Sequence, residues 1–378
     1  MLPLSPELLD SLQKVNISEA SPIQKEAIPV VLAGKDLVAI AATGSGKTLS
    51  FVLPILENLK KAKPFKSRHI QVLVLTPTRE LAIQVYEVFN QHSHAFSDCN
   101  HKALPVYGGV SINPQMMGLP QVNILVATPG RLLELIEKNA VHLLDVETLV
   151  LDEADKMLNL GFAEEMQRIF AFLPSKRQTL LFSATLNQNV AELQKGLLHE
   201  ATVIHVENEA KLEEQIQQTV YRVTPEKKGP LLRNLIVKKG WQQVLVFVGS
   251  SRRADNVADK LRKNGIEARP IHSKKSQNAR MDLLLKFKLG HIQVLVATDL
   301  LSRGVDIEEL PYVVNYELPR SPKDYIHRIG RTGRAGAVGE AITLLTPAEE
   351  QHFKVIQKKM KKRLDWLDSE DLGKEYFS

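Results

Sequence analysis

Two short stretches carry residue types suited to work on a nucleoside triphosphate. Residues 41–48, AATGSGKT, lie between an aliphatic run, Leu37 to Ile40, and an amphipathic stretch from Leu49. Aliphatic run, glycines and then helical periodicity read as strand, loop and helix. Gly44 and Gly46 let the backbone turn tightly and point several amides inward as a nest for anionic oxygens. The positive end of the following helix faces the same space. Ala41, Ala42, Thr43 and Ser45 complete the loop, with Ala41 where the general pattern has glycine. Lys47 is spaced to reach the β- and γ-phosphates, and the Thr48 hydroxyl to sit on Mg²⁺. About 100 residues later comes LVLDEAD, 149–155. A buried strand ending in Asp152 and Glu153 brings two carboxylates to a sheet edge. Asp152 can hold Mg²⁺, directly or through water, and Glu153 can orient and deprotonate the attacking water. Alone, an acidic strand end is most often a helix cap or surface charge. Paired with GKT, it marks an NTP hydrolase.

These residues need a scaffold, and the first half alternates strands with helices. Strand-like runs at 70–76, 122–128, 148–153, 178–185 and 202–206 are separated by helical patterns such as RELAIQVYEVFNQH and AELQKGLLHE. This is the rhythm of a parallel sheet with helices on both faces, where chemistry gathers at the carboxyl ends of strands. Upstream, SPELLDSLQKV reads as a helix with Ser5 at the N-cap and Pro6 at N1. Gln24, 23 residues before Lys47, can fold back to read the N6/N7 edge of adenine, or be a surface glutamine.

Composition agrees. The 378 residues suffice for two domains, and 44% hydrophobic with 24% charged residues is ordinary globular composition. No apolar run approaches membrane-span length, and the N-terminus lacks a basic region of the secretory type. A lone cysteine, Cys99, excludes an internal disulfide framework and points to a reducing, intracellular compartment. Residues 1–210 hold 18 Lys+Arg against 22 Asp+Glu, and residues 211–378 hold 31 against 21. A basic half beside an acidic, nucleotide-binding half suggests a polyanion partner, although a basic surface can simply be a solvated face.

The second half repeats the alternation after a polar stretch, 208–216, read as a linker between a first domain, 1–207, and a second, 217–378. In that reading FVGSSRR is the counterpart of the phosphate loop and, lacking GK[ST], cannot cradle a nucleotide. One ATP is then bound by the first domain and completed by the second. DYIHRIGRTGR starts like a helix, which makes Arg331 and Arg334 neighbours on one face, able to act on a γ-phosphoryl group as arginine fingers. The alternative is a basic surface helix. Near the C-terminus, Phe353, Ile356 and Met360 mark the apolar face of a helix. KKMKKR, 358–363, is either an extension of a nucleic-acid path or that helix's exposed face.

The chain resembles the DEAD-box ATP-dependent RNA helicases. DEAD at 152–155, SPIQ around Gln24, PTRELAIQ (77–84), Gly108-Gly109, TPGR (128–131), SAT (183–185), VLVFVGS (244–250), the His272/Gln277/Arg280 segment, ATDLLSRGVDI (297–307) and HRIGRTGR (327–334) follow in family order. The resemblance implies two tandem RecA-like α/β domains, each a mostly parallel sheet with helices on both faces. It implies ATP and Mg²⁺ as cofactors, and RNA bound through backbone and 2′-hydroxyl groups without sequence reading. Lys47, Asp152, Glu153, Arg331 and Arg334 would be catalytic, and His327 would communicate with Ser183, Ala184 and Thr185, which couple hydrolysis to strand separation. Asp306 would touch the ribose. RNA would meet Pro77, Thr78, Arg79, Gly108, Gly109, Thr128, Pro129, Gly130, Arg131, Gln277, Arg280 and Thr298, with Arg79 or Arg131 near the phosphates. The implied activity is local unwinding of short duplexes or remodelling of RNA–protein complexes. Its rivals are an ATP-gated RNA clamp and an enzyme acting on duplex DNA. A monomeric core with possible protein cofactors is expected, in a bacterial-like cytoplasm or in the nucleus or nucleolus. Asn16-Ile17, Ser273 and Ser302 depart from the family's residues, and its adenine-stacking aromatic would precede Met1. Adenine affinity is the property these departures touch.

Overall fold

The computed structural model describes residues 2–41, 44–60, 66–96, 101–206, 216–299, 310–333 and 339–368, with the backbone alone for Gln277, Asn278 and Lys323. The chain divides into two compact units, Met1–Asn208 and Glu209–Ser378. The first unit contains β1 (Leu37–Ile40), β2 (Val72–Leu75), β3 (Ala103–Val106), β4 (Ile124–Ala127), β5 (Thr148–Leu151), β6 (Gln178–Ser183) and β7 (Thr202–His205). The second contains β8 (Ile216–Arg222), β9 (Val244–Val248), β10 (Ala268–Ile271), β11 (Val294–Thr298), β12 (Tyr312–Asn315), β13 (Gly339–Leu345) and β14 (Trp366–Asp368).

Each sheet is wholly parallel among these strands. The orders are β3-β4-β2-β5-β6-β1-β7 and β10-β11-β9-β12-β13-β8-β14, the same arrangement with every index raised by seven. The run VLVL of β2 is buried along its whole length, as a strand covered by helices on both faces must be. Alternation decides which layer each residue joins. Leu37 and Ala39 of β1 enter one core with Phe51, Phe89 and Phe182, while Val38 and Ile40 enter the opposite core with Leu73, Leu75 and Leu149. The helix Lys47–Leu59 runs from the phosphate loop into the first of these cores, and Phe51 meets Phe182 of β6 at 5.2 Å between ring centroids.

Several expectations change. β3 and β14 were not anticipated. The linker read at 208–216 lies outside the described residues except Ile216, which is the first residue of β8 rather than part of a linker. The helix Pro322–Ile329 ends before HRIGRTGR is complete. Gly330 follows it, Gly333 is left-handed at φ 75°, and Leu310 bridges to Thr332, so Arg331 lies beyond the helix and not on its face.

The register also corrects the pairing of motifs. Ile40 of β1 lies opposite Ser183, the last residue of β6, and Arg222 of β8 opposite Leu345, the last of β13. The phosphate loop after β1 therefore corresponds to TPEKK, 224–228, after β8. FVGSSRR follows β9, the counterpart of β2, and so corresponds to PTRE. Thr78 and Ser250 cap the two following helices alike, accepting from the amides of Leu81 and Arg253.

Phe182 is fully buried. Phe182→Ala is expected to destabilise the first unit by about 3–5 kcal/mol, read as a lower urea midpoint.

Candidate functional site

The phosphate loop hangs between β1 and the helix Lys47–Leu59. Gly44 and Gly46 have φ of 72° and 94°, the left-handed conformation that glycine adopts without steric cost. Ala42 and Thr43 lie outside the described residues. Lys47 is buried and its Nζ donates to the Ala41 carbonyl at 2.8 Å. Thr48 is half-buried in the first turn, and Ser45 Oγ is buried without a hydrogen-bond partner among the described residues.

Gln24 closes the loop from the other side. It belongs to the helix Pro22–Leu32, where Ser21 and Gln24 form a capping box. Its Oε1 accepts from the Ser21 amide at 2.9 Å, and its Nε2 donates to the Gly46 carbonyl at 3.3 Å. A Cβ on Gly46 would come within 2.6 Å of that Nε2 and 2.7 Å of Ser21 Oγ. Gln24 is therefore a buried partner of the phosphate loop, not a surface glutamine.

β5 delivers the acidic pair at the carboxyl end of the sheet. Asp152 is only 2% exposed, and Glu153 holds a left-handed backbone (φ 54°) at the N-cap of the helix Ala154–Asn159. Burial first, then the neighbouring Glu153 charge, pushes the Asp152 carboxyl up to about 7, against the pull of Lys47 and Lys156. Lys156, one turn on, places Nζ 2.5 Å from Glu153 Oε1 with both side chains buried. Asp152 Oδ1 is buried with no hydrogen-bond partner among the described residues. A divalent cation would satisfy that oxygen and offset the repulsion, so the residues fit Mg²⁺ bound through one carboxylate and a hydroxyl. Asp155 Oδ2 accepts from Thr185 Oγ1 at 3.0 Å, and Ser183 Oγ donates to the Thr185 carbonyl at 2.8 Å. The DEAD and SAT segments are thus joined by a hydrogen bond.

A second cluster lies at the carboxyl ends of β2, β3 and β4, which are adjacent in the sheet. It brings together Pro77-Thr78-Arg79, Gly108-Gly109 and Thr128-Pro129-Gly130-Arg131. Gly109 is left-handed at φ 77°, and a Cβ there would overlap the Arg79 guanidinium. Arg131 is buried, with Nη2 donating to the Val110 carbonyl at 2.8 Å and Nε to Glu134 at 3.0 Å. Its Nη1 is buried without a hydrogen-bond partner among the described residues. Both arginines brace the glycine loop.

In the second unit Thr298 ends β11 and Arg280 is buried on the helix Gln277–Lys288. Nothing is described of the Gln277 side chain. His327 is half-buried, and Arg331 is buried. Arg334 and Asp306 fall outside the described residues.

Sequence reasoning passed over three groups. Asp155 and Lys156 tie the acidic pair to its surroundings, and the i+3 spacing of Lys156 from Glu153 was the available signal. Arg328 is fully buried, donating to Asp299 at 2.6 Å, Asn315 at 3.0 Å and the Glu317 carbonyl at 2.7 Å, above the Phe247 ring. Its place between Tyr325 and Ile329 on the apolar side of a helix was the clue, since a buried guanidinium needs a carboxylate.

Two tandem parallel α/β units, with one phosphate loop and one acidic strand end, define a phosphate-loop NTPase with RecA-like units. Residues 21–193 match the DEAD/DEAH box helicase family and residues 227–336 the helicase conserved C-terminal domain. The chain is 40% identical over 363 residues to the DEAD-box ATP-dependent RNA helicase CshA of Bacillus subtilis, covering 96% of this chain and 72% of that one. Among solved structures it resembles S. cerevisiae Dbp5 bound to RNA and ADP BeF3, with TM-score 0.85, 29% identity, and coverage of 99% of this chain and 96% of that one. It also resembles a DEAD box protein from the hyperthermophile Methanococcus jannaschii, with TM-score 0.57, 36% identity, and coverage of 97% and 98%. The chain belongs to the DEAD-box helicase family.

Two outcomes are expected. Gly46→Ala combines left-handed strain of about 1–2 kcal/mol with displacement of Gln24, so nucleotide affinity falls about tenfold or more in a fluorescent-nucleotide titration. A carboxyl raised in the folded state stays protonated where the unfolded chain has lost its proton, so Asp152 lowers stability as pH rises from about 4 toward 7. In nucleotide-free urea melts, Asp152→Asn should remove that loss and gain on the wild type across this range.

Proposed function

We propose that the chain is an RNA-dependent ATPase that separates short RNA duplexes or remodels RNA–protein complexes. The observation that carries this reading is the buried set Lys47, Asp152 and Glu153 at the carboxyl end of one sheet, beside Asp155, which accepts a hydrogen bond from Thr185. Resemblance to S. cerevisiae Dbp5 bound to RNA and ADP BeF3 supports the substrate class.

Lys47 exchanges the Ala41 carbonyl for the β- and γ-phosphate oxygens, which Ala41, Ala42, Thr43, Gly44, Ser45, Gly46 and Thr48 surround. Thr48 and Asp152 would hold Mg²⁺, which would supply positive charge at the phosphates. Glu153 orients the attacking water and accepts its proton. Gln24 reads the adenine edge while bonded to Gly46, which couples base recognition to the phosphate loop. Asp306 serves the ribose. Arg331 and Arg334 supply charge to the transferring phosphoryl group, an effect worth roughly 10³ to 10⁵ in rate elsewhere. His327 communicates with Ser183, Ala184 and Thr185.

RNA lies along Pro77, Thr78, Arg79, Gly108, Gly109, Thr128, Pro129, Gly130 and Arg131 of the first unit, and Gln277, Arg280 and Thr298 of the second. Amides, hydroxyls and guanidiniums of this kind serve phosphate and 2′-hydroxyl groups and read no bases. We place residues 1–207 and 217–378 as the two domains, working as a monomeric core that can take protein cofactors. Among the described residues no helix is long and apolar enough to cross a membrane. The bacterial relatives support a cytoplasmic setting.

The test is steady-state ATP hydrolysis alone, with single-stranded RNA, and with DNA of the same sequence. RNA alone should stimulate, and Glu153→Gln should lower kcat by about 10²- to 10⁴-fold with ATP still bound. Equal stimulation by DNA would remove the RNA assignment. Tight RNA binding without stimulation would indicate an ATP-gated clamp.

A further inference from the structure

The sheets share one strand order, so the second unit contains a counterpart of the nucleotide site. The helix Lys228–Lys238 starts on a lysine directly after the β8 loop, as Lys47–Leu59 does after the β1 loop. Tyr316 and Glu317 follow β12 as Asp152 and Glu153 follow β5. A cavity of about 730 Å³ opens there, lined among others by Pro225, Lys228, Tyr316, Glu317, Thr346 and Glu349.

The counterpart lysine is retained and buried. Lys228 is 4% exposed, and its Nζ donates to the Tyr316 carbonyl at 2.8 Å and to Glu349 Oε2 at 3.1 Å. The same Oε2 accepts from the Thr346 amide at 3.0 Å and Thr346 Oγ1 at 2.6 Å, and Oε1 accepts from the Leu318 amide at 3.4 Å. One carboxylate therefore gathers an ammonium, a hydroxyl and two amides, the donor set that would otherwise suit a phosphate oxygen. Glu317 is not available to the same donors, because it accepts from the Gly249 amide and from Arg253 Nε, each at 2.7 Å. The β8 loop, Thr224 to Lys227, has no glycine and includes Pro225, which has no amide hydrogen.

We propose that Glu349 is the resident anion of this second site, a specificity-determining residue that limits the chain to one nucleotide. The side chain fills the place of a phosphate and neutralises Lys228. The seat it covers is an oxyanion seat of the phosphate class.

Strand register, and not the helicase reading, places Glu349 at this seat, and the experiment keeps the two apart. Inorganic pyrophosphate is titrated calorimetrically, near neutral pH, into the 378-residue chain carrying Lys47→Ala, which disables the first site. With Glu349 present no saturable heat is expected. With Glu349→Ala added, one equivalent should bind, and adding Lys228→Met should abolish that binding. Pyrophosphate binding to the Lys47→Ala chain that Lys228→Met removes would overturn the proposal. So would a folded Glu349→Ala chain that binds nothing, or binding that survives Lys228→Met. Glu349 also caps the turn Pro347–Glu349. If the alanine variant does not fold, Glu349→Ser, which keeps a hydroxyl acceptor for Thr346, is read by the same criteria.

Discussion

Two adjacent carboxylates buried at the end of a central strand are the constraint on which the first unit depends. Burying like charges side by side is unfavourable unless cations or protons compensate them. Lys47 and Lys156 supply compensation from two elements, one from the start of the helix after the phosphate loop and the other from the helix after β5. Compensation stays partial, since Asp152 still has its carboxyl raised to about 7 and an oxygen without a hydrogen-bond partner. The site is thus built with a shortage of positive charge that a cation removes. The left-handed backbone of Glu153 belongs to the same arrangement. It ends β5 abruptly and starts a helix at once, so that Lys156 lies one turn from Glu153 and Asp155 faces Thr185.

The parallel sheet makes such a site possible because every strand ends on the same side. β2, β3 and β4 end beside one another and bring the two arginine segments to the paired glycines. Gly109 is needed there because Arg79 occupies the space of a side chain. Arg131 holds the neighbouring carbonyl of Val110. These arginines organise the loop that would carry backbone contacts to a polyanion, which gives them a structural role besides any direct charge contact.

Much of this was legible in the sequence wherever local pattern and burial agree. Runs such as VLVL and LVLDEAD are apolar because both faces of their strands are covered, and the glycines of the phosphate loop are where positive φ is required. β3 was missed because ALPV is largely half-buried and contains Pro105. β14 was missed because it is three residues long, on a sheet edge, in a charged stretch. The helix ends before Arg331 at Gly330, a local stop, and what no local pattern announces is the long-range bridge from Leu310 to Thr332. Within the site, Gln24 was legible as a motif but not as a partner of Gly46. That contact joins two segments 22 residues apart through one turn of backbone.

The misassigned phosphate-loop counterpart shows why topology outranks composition. FVGSSRR drew attention through its glycine, yet its strand occupies the place of β2. The true counterpart, TPEKK, has no glycine and was invisible to a search for phosphate-binding loops. The two loops end on the same residue type at the same point of the same fold, and both lysines are buried and donate to a carbonyl. Their difference lies in the surrounding backbone. After β1, two left-handed glycines turn the backbone tightly, as an anion nest requires, with two carboxylates set for a cation. After β8, a proline and a right-handed Lys227 offer no such nest, and a glutamate already takes the lysine's second bond. Sheet order decides where a phosphate site can be, and the residues around it, here the loop backbone and Glu349, decide whether the anion there comes from a ligand or from the chain itself.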